Sequence, residues 1–436
     1  MSNHDNVSMF FPPLKGKKLE VNFNGGHVSS DGGVLLLREI DRQLNLTKDA
    51  ASCITDPGNP ERITHSMLTL IRQRVYGIAL GYEDLNDHTE LRHDMAFQTS
   101  LENDDTASSA STLCRFEAYA NRSTAIKLHR LLVDRFIASF KKAPKALTLD
   151  FDATDDPVHG DQEGKFFHGH YGHYCFLPLY VFCEKQLLVS YLRPSSQDAA
   201  KHAWAILALL VKALRKKWPK VKITFRGDGG FCRHKMLNWC ERNQVHYIVG
   251  LASNAALDRL SLYTQAKAAV LYNKTGEDQR HFSEFMYKAQ SWKRKRRVIV
   301  KAEFNKLGPN TRHIVSNLKG NPCELYSKIY CVRGSMEQSI DEQLCFYADR
   351  TSCHEWWSNQ FRLMLSSLAY VLVDTFRRNH LKGTEFAKSR CAAIRLKLLK
   401  IGAVITRNTR RIKIMLSEAH PHKALFISIY RKLCPG

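Results

Sequence analysis

The chain has 436 residues, 44% hydrophobic and 25% charged, the composition of an ordinary folded protein too long for one compact core; a fibrous or disordered chain is excluded. Its formal charge of +23 makes a polyanion, nucleic acid first, the expected partner. No apolar run reaches the ~18 residues of a membrane span, and the opening MSNHDNVSMFFPP lacks the basic-then-apolar order of an export signal, so a cytoplasmic protein is expected.

Residues 1–145 read as a largely helical region. After the turn-rich NGGHVSSDGG, Val34–Leu46 has helical apolar spacing, and Ile63–Leu80 forms a second helix with Thr64 as its N-cap. Ser111–Tyr119 and Thr124–Phe140 make a further pair across a short turn. Two readings fit that pair: a helix-turn-helix unit, with Arg115 facing DNA, or a plain helical bundle. From Ala146 the period changes to that of strands. Ala146–Ala153 (ALTLDFDA) alternates as a half-buried strand does, and Tyr174–Cys183 with Leu187–Leu192 reads as a hairpin. Ala199–Trp218 is a helix closed by Pro219, Val221–Arg226 a strand, His234–Asn243 a helix and Val245–Leu251 a strand. A mixed sheet with helices on its faces accommodates that order. Asn254–Asn317 carries weaker, mixed signals, and helices resume near Ser335 and dominate to the end.

Within this frame the acidic residues call for a reason. Asp150 and Asp152 are two apart in one strand and so share a face, where two carboxylates repel unless a cation relieves them. Asp228 follows a strand within RGDGGF, where glycines allow a ligand close to the backbone, and ligands gather at the carboxyl ends of such strands. Tyr330, Arg333 and Glu337 fall at helical offsets of three and four, which place them on one face. An edge strand, an Asp-Gly turn and a buried ion pair are the structural alternatives for the three motifs. Phosphodiester chemistry supplies the functional one, because carboxylates can hold the divalent ions that activate one oxygen and stabilise another.

Taken together, these motifs resemble a family. Y-x2-R-x3-E at Tyr330, Arg333 and Glu337 is similar to the signature of bacterial insertion-sequence transposases of the DDE class. LDFDATDD (Leu149–Asp156), HGDQ (His159–Gln162), RGDGGFCR (Arg226–Arg233) and DRTSC (Asp349–Cys353) resemble its group 1. So do Ser29–Asp41 and Ile63–His88, and the resemblance covers about Val21 to Leu372. It implies an α/β protein with an RNase H-like catalytic core, whose three antiparallel strands followed by βαβ units match the order above. It also implies a triad of Asp152, Asp228 and Glu337 that is both catalytic and metal-binding, using Mg²⁺ or Mn²⁺, with two ions expected. The implied reaction is cut-and-paste transposition: cleavage at the element's inverted repeats and strand transfer into target DNA, by a homodimer acting at the nucleoid. Asp150 remains an alternative to Asp152 as first triad member. The gaps of 76 residues between Asp152 and Asp228 and 109 between Asp228 and Glu337 leave room for a β-rich insertion at about 254–318 within a core of 146–376, with a basic helical region at 377–436. The signature's closing Lys is absent, since position 344 is Leu344. A decayed or repurposed transposase that only binds DNA, or a related metal-dependent nuclease, are the alternative functions.

The remaining motifs are less specific. Trp292 followed by Lys293, Arg294, Lys295, Arg296 and Arg297 reads as a phosphate-gripping hairpin with a stacking ring, or else as a solvated charge run. With Arg115, Tyr330 and Arg333 these are the expected DNA-contacting residues. Arg407, Arg410, Arg411 and Lys413 form a second basic patch. His159, His168, His170 and His173 suit a turn near DNA better than a transition-metal site. Twelve cysteines without a CxxC pair read as reduced thiols rather than a zinc site. Gly25, Gly26, Gly32 and Gly33 lack the Gly-Lys-Ser/Thr of a phosphate-binding loop, so no nucleotide triphosphate is expected.

Overall fold

A computed structural model of the chain describes residues 7–435, apart from 60, 62 and 104; the first six residues of the segment read against an export signal lie outside them. The chain divides into two compact units, one of residues 1–120, 345–347 and 368–436, the other of 121–344 and 348–367. Among the described residues no helix is long and apolar enough to cross a membrane.

The first unit brings the two ends of the chain together. The helix Val34–Leu44 stops where Asn45 turns left-handed (φ 51°), so the expected single helix to Leu46 becomes two. Met67–Leu80 is capped by Ser66, whose hydroxyl accepts from the Thr69 N–H at 3.1 Å, rather than by Thr64. Gly32 and Gly33 lie against the backbone of Leu398–Ala403, and a Cβ on Gly33 would stand 2.2 Å from the Leu398 carbonyl oxygen. Close packing accounts for this glycine pair. The C-terminal region is not helical throughout: Ala403–Asn408 and Arg411–Leu416 form an antiparallel hairpin to which His27–Ser29 adds a third strand. Arg411-Ile-Lys-Ile alternates as a strand does, and the polar Thr406–Arg410 ahead of it suits a hairpin tip better than a helix.

The second unit is built on one eight-stranded sheet. Its elements are α1 (Arg122–Ala138), β1 (Ala146–Ala153), β2 (Leu179–Cys183), β3 (Gln186–Tyr191), α2 (Ala203–Lys217), β4 (Lys222–Gly227), α3 (His234–Arg242), β5 (His246–Leu251), α4 (Ala255–Thr275), β6 (Gln279–Tyr287), β7 (Arg296–Asn305), β8 (Gly308–Ser316) and α5 (Gly334–Leu344). The strand order is β6-β7-β8-β5-β4-β1-β2-β3, with β1, β4 and β5 parallel and the remaining neighbours antiparallel.

Three differences from the sequence reading have physical causes. The segment 254–318 opens with a 21-residue helix, and its three strands extend the main sheet from β5 instead of forming a separate β-rich body. The expected strand Tyr174–Cys183 breaks at Leu177-Pro178, and Pro178 has no N–H to continue a ladder. Its first part, His173–Phe176, pairs with Phe166–His168 and Asp156–Pro157 in a small sheet. Finally, α1 belongs to this unit, whereas Ala110–Ala118 belongs to the first. Leu128, Leu131, Leu132, Val133 and Phe136 form its buried stripe, and His129 Nε2 lies 3.0 Å from the Ser190 carbonyl oxygen of β3. Thus α1 covers a sheet, and the two helices are not a recognition pair within one unit.

Candidate active site

The register of β1 and β4 organises the site. Phe225 stands beside Leu149 and Gly227 beside Phe151, and these positions face the main core, where Phe151 and Phe225 meet edge to face at 5.1 Å. Alternation sends Asp150, Asp152, Arg226 and Asp228 to the other face. Arg226 is directly beside Asp150 and grips it with two nitrogens, Nη2 at 2.7 Å from Oδ2, while Nη1 donates to the Ile329 carbonyl. One pleat further, Asp152 is followed on the neighbouring strand by Asp228, so the sheet supplies a second acid where it had supplied a cation.

Relief comes from outside the sheet. Arg333 Nη1 donates to Asp152 Oδ2 at 2.6 Å, and its Nη2 to Glu337 at 3.3 Å. Burial pushes the Asp152 carboxyl up to about 6, with Arg333 opposing the shift and the Asp228 charge adding to it. The Asp228 carboxylate accepts from the Gly230 N–H at 2.9 Å, which fixes it at the start of the turn after β4. Tyr330 packs beneath: a Cβ on Gly250 would stand 2.7 Å from both its hydroxyl and the Gly229 nitrogen, so only glycine fits there. Burial raises the Tyr330 phenol, with the Asp228 charge contributing. Tyr330, Arg333 and Glu337 do not lie on one regular helix, because Leu325–Tyr330 is π-helical and Cys331–Arg333 a 3₁₀ turn before α5 begins. Such irregularities are frequent at functional sites. Leu344 ends α5 half-buried and brings no cation.

Asp152 and Asp228 are the acids here that could hold a cation, while Glu337, 64% exposed, is joined to Asp152 through Arg333. Among the described residues no three His, Cys, Asp or Glu side chains converge as a metal-holding group. Among the described residues none of the histidines joins this pair in a metal-holding group. His173 Nε2 lies 2.9 Å from Asp155 Oδ2, and the rings of His168 and His170 pack around Tyr171. Asp156 is buried, accepts from the Thr351 hydroxyl at 2.7 Å, and is pushed up to about 8 by burial, with Asp349 and Asp155 adding to the shift.

The basic run is divided by the fold. Trp292 is not a free stacking ring: it is buried against Tyr287, with the Arg296 guanidinium 4.9 Å over it. Arg296, 3% exposed, binds Glu241 and Asn238, and Arg297 binds Glu284 and the carbonyls of Leu318 and Gly320. Trp292 is buried ahead of the strand, and Arg296 and Arg297 open β7, where partners within the fold hold both guanidinium groups. Lys293, Arg294 and Lys295 are exposed in the preceding loop, Arg294 3.0 Å from Glu241. Arg294 and Lys295 border a basin of about 570 Å³ that also takes in Lys319. Arg115 is exposed in the first unit, within 3.3 Å of the Thr112 hydroxyl. Arg407, Arg410, Arg411 and Lys413 are all exposed around the tip of the C-terminal hairpin.

A family model described as transposase DDE domain group 1 matches residues 11–435. A cryo-EM structure described as a piggyBac transposase synaptic complex with hairpin DNA aligns with 84% of this chain and 80% of its own, at 11% identity and a TM-score of 0.43. No curated protein matches the sequence.

Proposed function

The chain belongs to the transposase DDE domain group 1 family, and from that premise we propose that it cuts and joins DNA at Asp152, Asp228 and Glu337. One observation carries this reading. The register answers Asp150 with Arg226 and Phe151 with Gly227, so the next residue in each case is an acid, Asp152 and Asp228, and the Asp228 charge is felt at Asp152 with no cation from the sheet to offset it. Half-buried acids that share a single guanidinium, Arg333, are costly to fold and are kept where a ligand completes them. Asp152 is preferred to Asp150 as the first acid, because Arg226 already engages both oxygens of Asp150. The order β3-β2-β1-β4-β5, antiparallel in its first half and parallel in its second, supports an RNase H-like core with β6–β8 added at its edge.

Mg²⁺ or Mn²⁺ would be held by Asp152 and Asp228, with Glu337 completing the set, and would supply an activated oxygen nucleophile and charge neutralisation at the leaving oxygen. The chain's own part is positioning. Gly230 and Tyr330 hold Asp228 in place. Arg333 bridges Asp152 and Glu337, and were a cation to hold Asp152, its guanidinium would be free for a phosphate, whose geometry it matches bidentately. Lys293, Arg294 and Lys295 on the loop before β7, Arg115 on the first unit and the cations of the C-terminal hairpin are the surfaces we assign to DNA phosphates. Terminal repeats and target DNA are the substrates of this reading. Joining two ends requires two copies of the site, and a homodimer supplies them.

A second reading, a DNA-binding protein that no longer cuts, draws on Leu344 and on the lack of a converged three-acid group among the described residues. A supercoiled plasmid carrying the coding region and its flanking DNA separates the two. With Mg²⁺ or Mn²⁺, wild type is expected to nick and linearise it, and Asp228→Ala and Glu337→Ala to leave it intact. Equal cutting by all three proteins removes the triad. Binding without cutting by wild type selects the second reading.

A further inference from the structure

The small sheet beside the acidic end is unlike the rest of the surface. In the pairing of Phe166–His168 with His173–Phe176, Phe167 is opposite Tyr174, and residues directly opposite share a face. Their rings meet edge to face at 5.6 Å, yet Phe167 remains 57% and Tyr174 53% exposed. Lys165 Nζ lies 5.8 Å from the centre of the Tyr174 ring. The opposite face anchors the hairpin: Cys175 is fully buried, and His173 binds Asp155. Asp156–Pro157 pairs with His173–Phe176, and the Val158 N–H donates to the Tyr174 carbonyl at 2.9 Å. Only Ala153, Thr154 and Asp155 separate that anchor from Asp152, so the aromatic face is tied to the strand that ends in the site.

Phe167 and Tyr174 thus leave two adjoining rings open on a short strand pair, while Lys165, half-buried beside them, donates to the Gly160 carbonyl at 2.5 Å and lies 3.2 Å from Asp161 at the exposed turn. Tyr171, in the turn of the hairpin, has its phenol raised by burial and by the charges of Asp155, Asp152 and Asp228, so the turn lies within electrostatic reach of the acids. Paired duplex would hide its bases from such rings. An unpaired base presents a face that any aromatic ring can cover, and a neighbouring cation meets the phosphate beside it.

We propose that Phe167 and Tyr174, with Lys165, form a stacking platform for an unpaired nucleobase of the DNA strand entering the acidic site. The proposal rests on the reading of Asp152 and Asp228 as a DNA-cutting site and adds a class of ligand: single-stranded DNA at a frayed or tailed end.

The test uses the full chain without divalent metal, so that binding is read apart from cleavage. The probes are a blunt duplex and the same duplex with a short single-stranded 3′ tail bearing 2-aminopurine. Wild type binds the tailed duplex more tightly and quenches the 2-aminopurine emission. The Phe167→Ser, Tyr174→Ser double variant loses about 5- to 150-fold in tailed-duplex affinity, the range of one stacked base, and loses the quenching, while blunt-duplex affinity stays as in wild type. Tyr174→Phe, which keeps the ring, retains both. Equal wild-type affinity for the two probes without quenching overturns the platform and leaves the proposed function standing. An equal loss on both probes in the double variant also overturns it. Wild type that binds neither probe overturns the platform and the proposed function together. Tail binding kept in the double variant, with a fall in its mass by light scattering, would assign the face to a second copy of the chain instead. The wild-type quenching needs no variant, so a double variant that fails to fold does not remove the test.

Discussion

Asp41, in the unit made from both ends of the chain, is 1% exposed and accepts from the Thr47 N–H, the Thr47 hydroxyl and the Tyr76 hydroxyl, with Arg72 3.7 Å away. In the same unit Arg74 binds Glu117 at 2.8 Å and the Glu83 carbonyl at 3.0 Å, and Asp31 is paired with Lys400 at 2.8 Å. At the ends of β1 and β4, by contrast, Asp152, Asp228 and Glu337 have one guanidinium, Arg333, among them. The acids of the first region are buried, whereas Asp152 and Asp228 are half-buried and Glu337 is open to solvent. The first matches each with donors and cations of its own unit, and what that arrangement produces is a defined structure. The second leaves a deficit of positive charge that a ligand can fill, and that is the mark of a site.

Breaking a matched pair should therefore be the most damaging change. Arg74→Ala leaves Glu117 buried and is expected to cost about 3–5 kcal/mol, read as a lowered denaturant midpoint. A variant as stable as wild type would mean the pair is not matched in the way described. Asp156 sharpens the contrast from another side, since it is a buried acid with a hydroxyl partner and no cation. Its folded value, about 8, lies above the unfolded one, so the native state binds the extra proton. Stability is then full below about pH 4, the unfolded carboxylate range, and declines as pH rises toward 8. Asp156→Asn keeps an acceptor for Thr351 and removes that slope, so its advantage over wild type should grow between pH 5 and 9 to on the order of a few kcal/mol. Denaturant titrations at three pH values check it, and parallel slopes would contradict it.

Surface cations should change binding rather than folding. Replacing Arg407, Arg410 and Arg411 together by alanine should leave the melting temperature within error. The salt dependence of duplex binding should become shallower by up to about 0.9 for each phosphate that these cations neutralise. Arg296→Ala should instead destabilise the chain, because its guanidinium is held by Glu241 and Asn238. Equal effects of the two changes on the salt slope would argue against the division of the cations drawn from the structure.

The sequence made much of the second unit legible. β1, the β2–β3 hairpin, α2, β4, α3 and β5 all lie in the stretches that apolar runs and turn residues mark out. α4 was harder to read: exposed Leu260, Leu262, Tyr263 and Val270 blur the stripe made by Leu257, Ser261, Thr264 and Ala268. The C-terminal hairpin has a short local signal, the alternation of Arg411-Ile-Lys-Ile alone, because Ala403-Val-Ile on its other strand is continuously apolar. Five consecutive cations at 293–297 carry no local sign of where β7 begins, so their division into loop and strand waits for the fold. The acidic motifs were visible one at a time, but the choice between Asp150 and Asp152 was not. It depends on Arg226 lying beside Asp150, a pairing across 76 residues that local spacing does not contain. The aromatic face of the small sheet was likewise hidden within what read as a histidine-rich turn.

Asp150 and Asp152 share a strand and a face, yet their neighbours suit them to opposite roles. Thermal unfolding and metal-dependent plasmid cleavage measured side by side on Asp150→Asn and Asp152→Asn test this most directly. Asp150→Asn should lower stability by about 3 kcal/mol or more, because it leaves Arg226 buried without its carboxylate. Asp152→Asn should fold as stably as wild type or more so, having lost a strained acid, and should not cut. Cutting at the wild-type rate by folded Asp152→Asn would contradict the assignment.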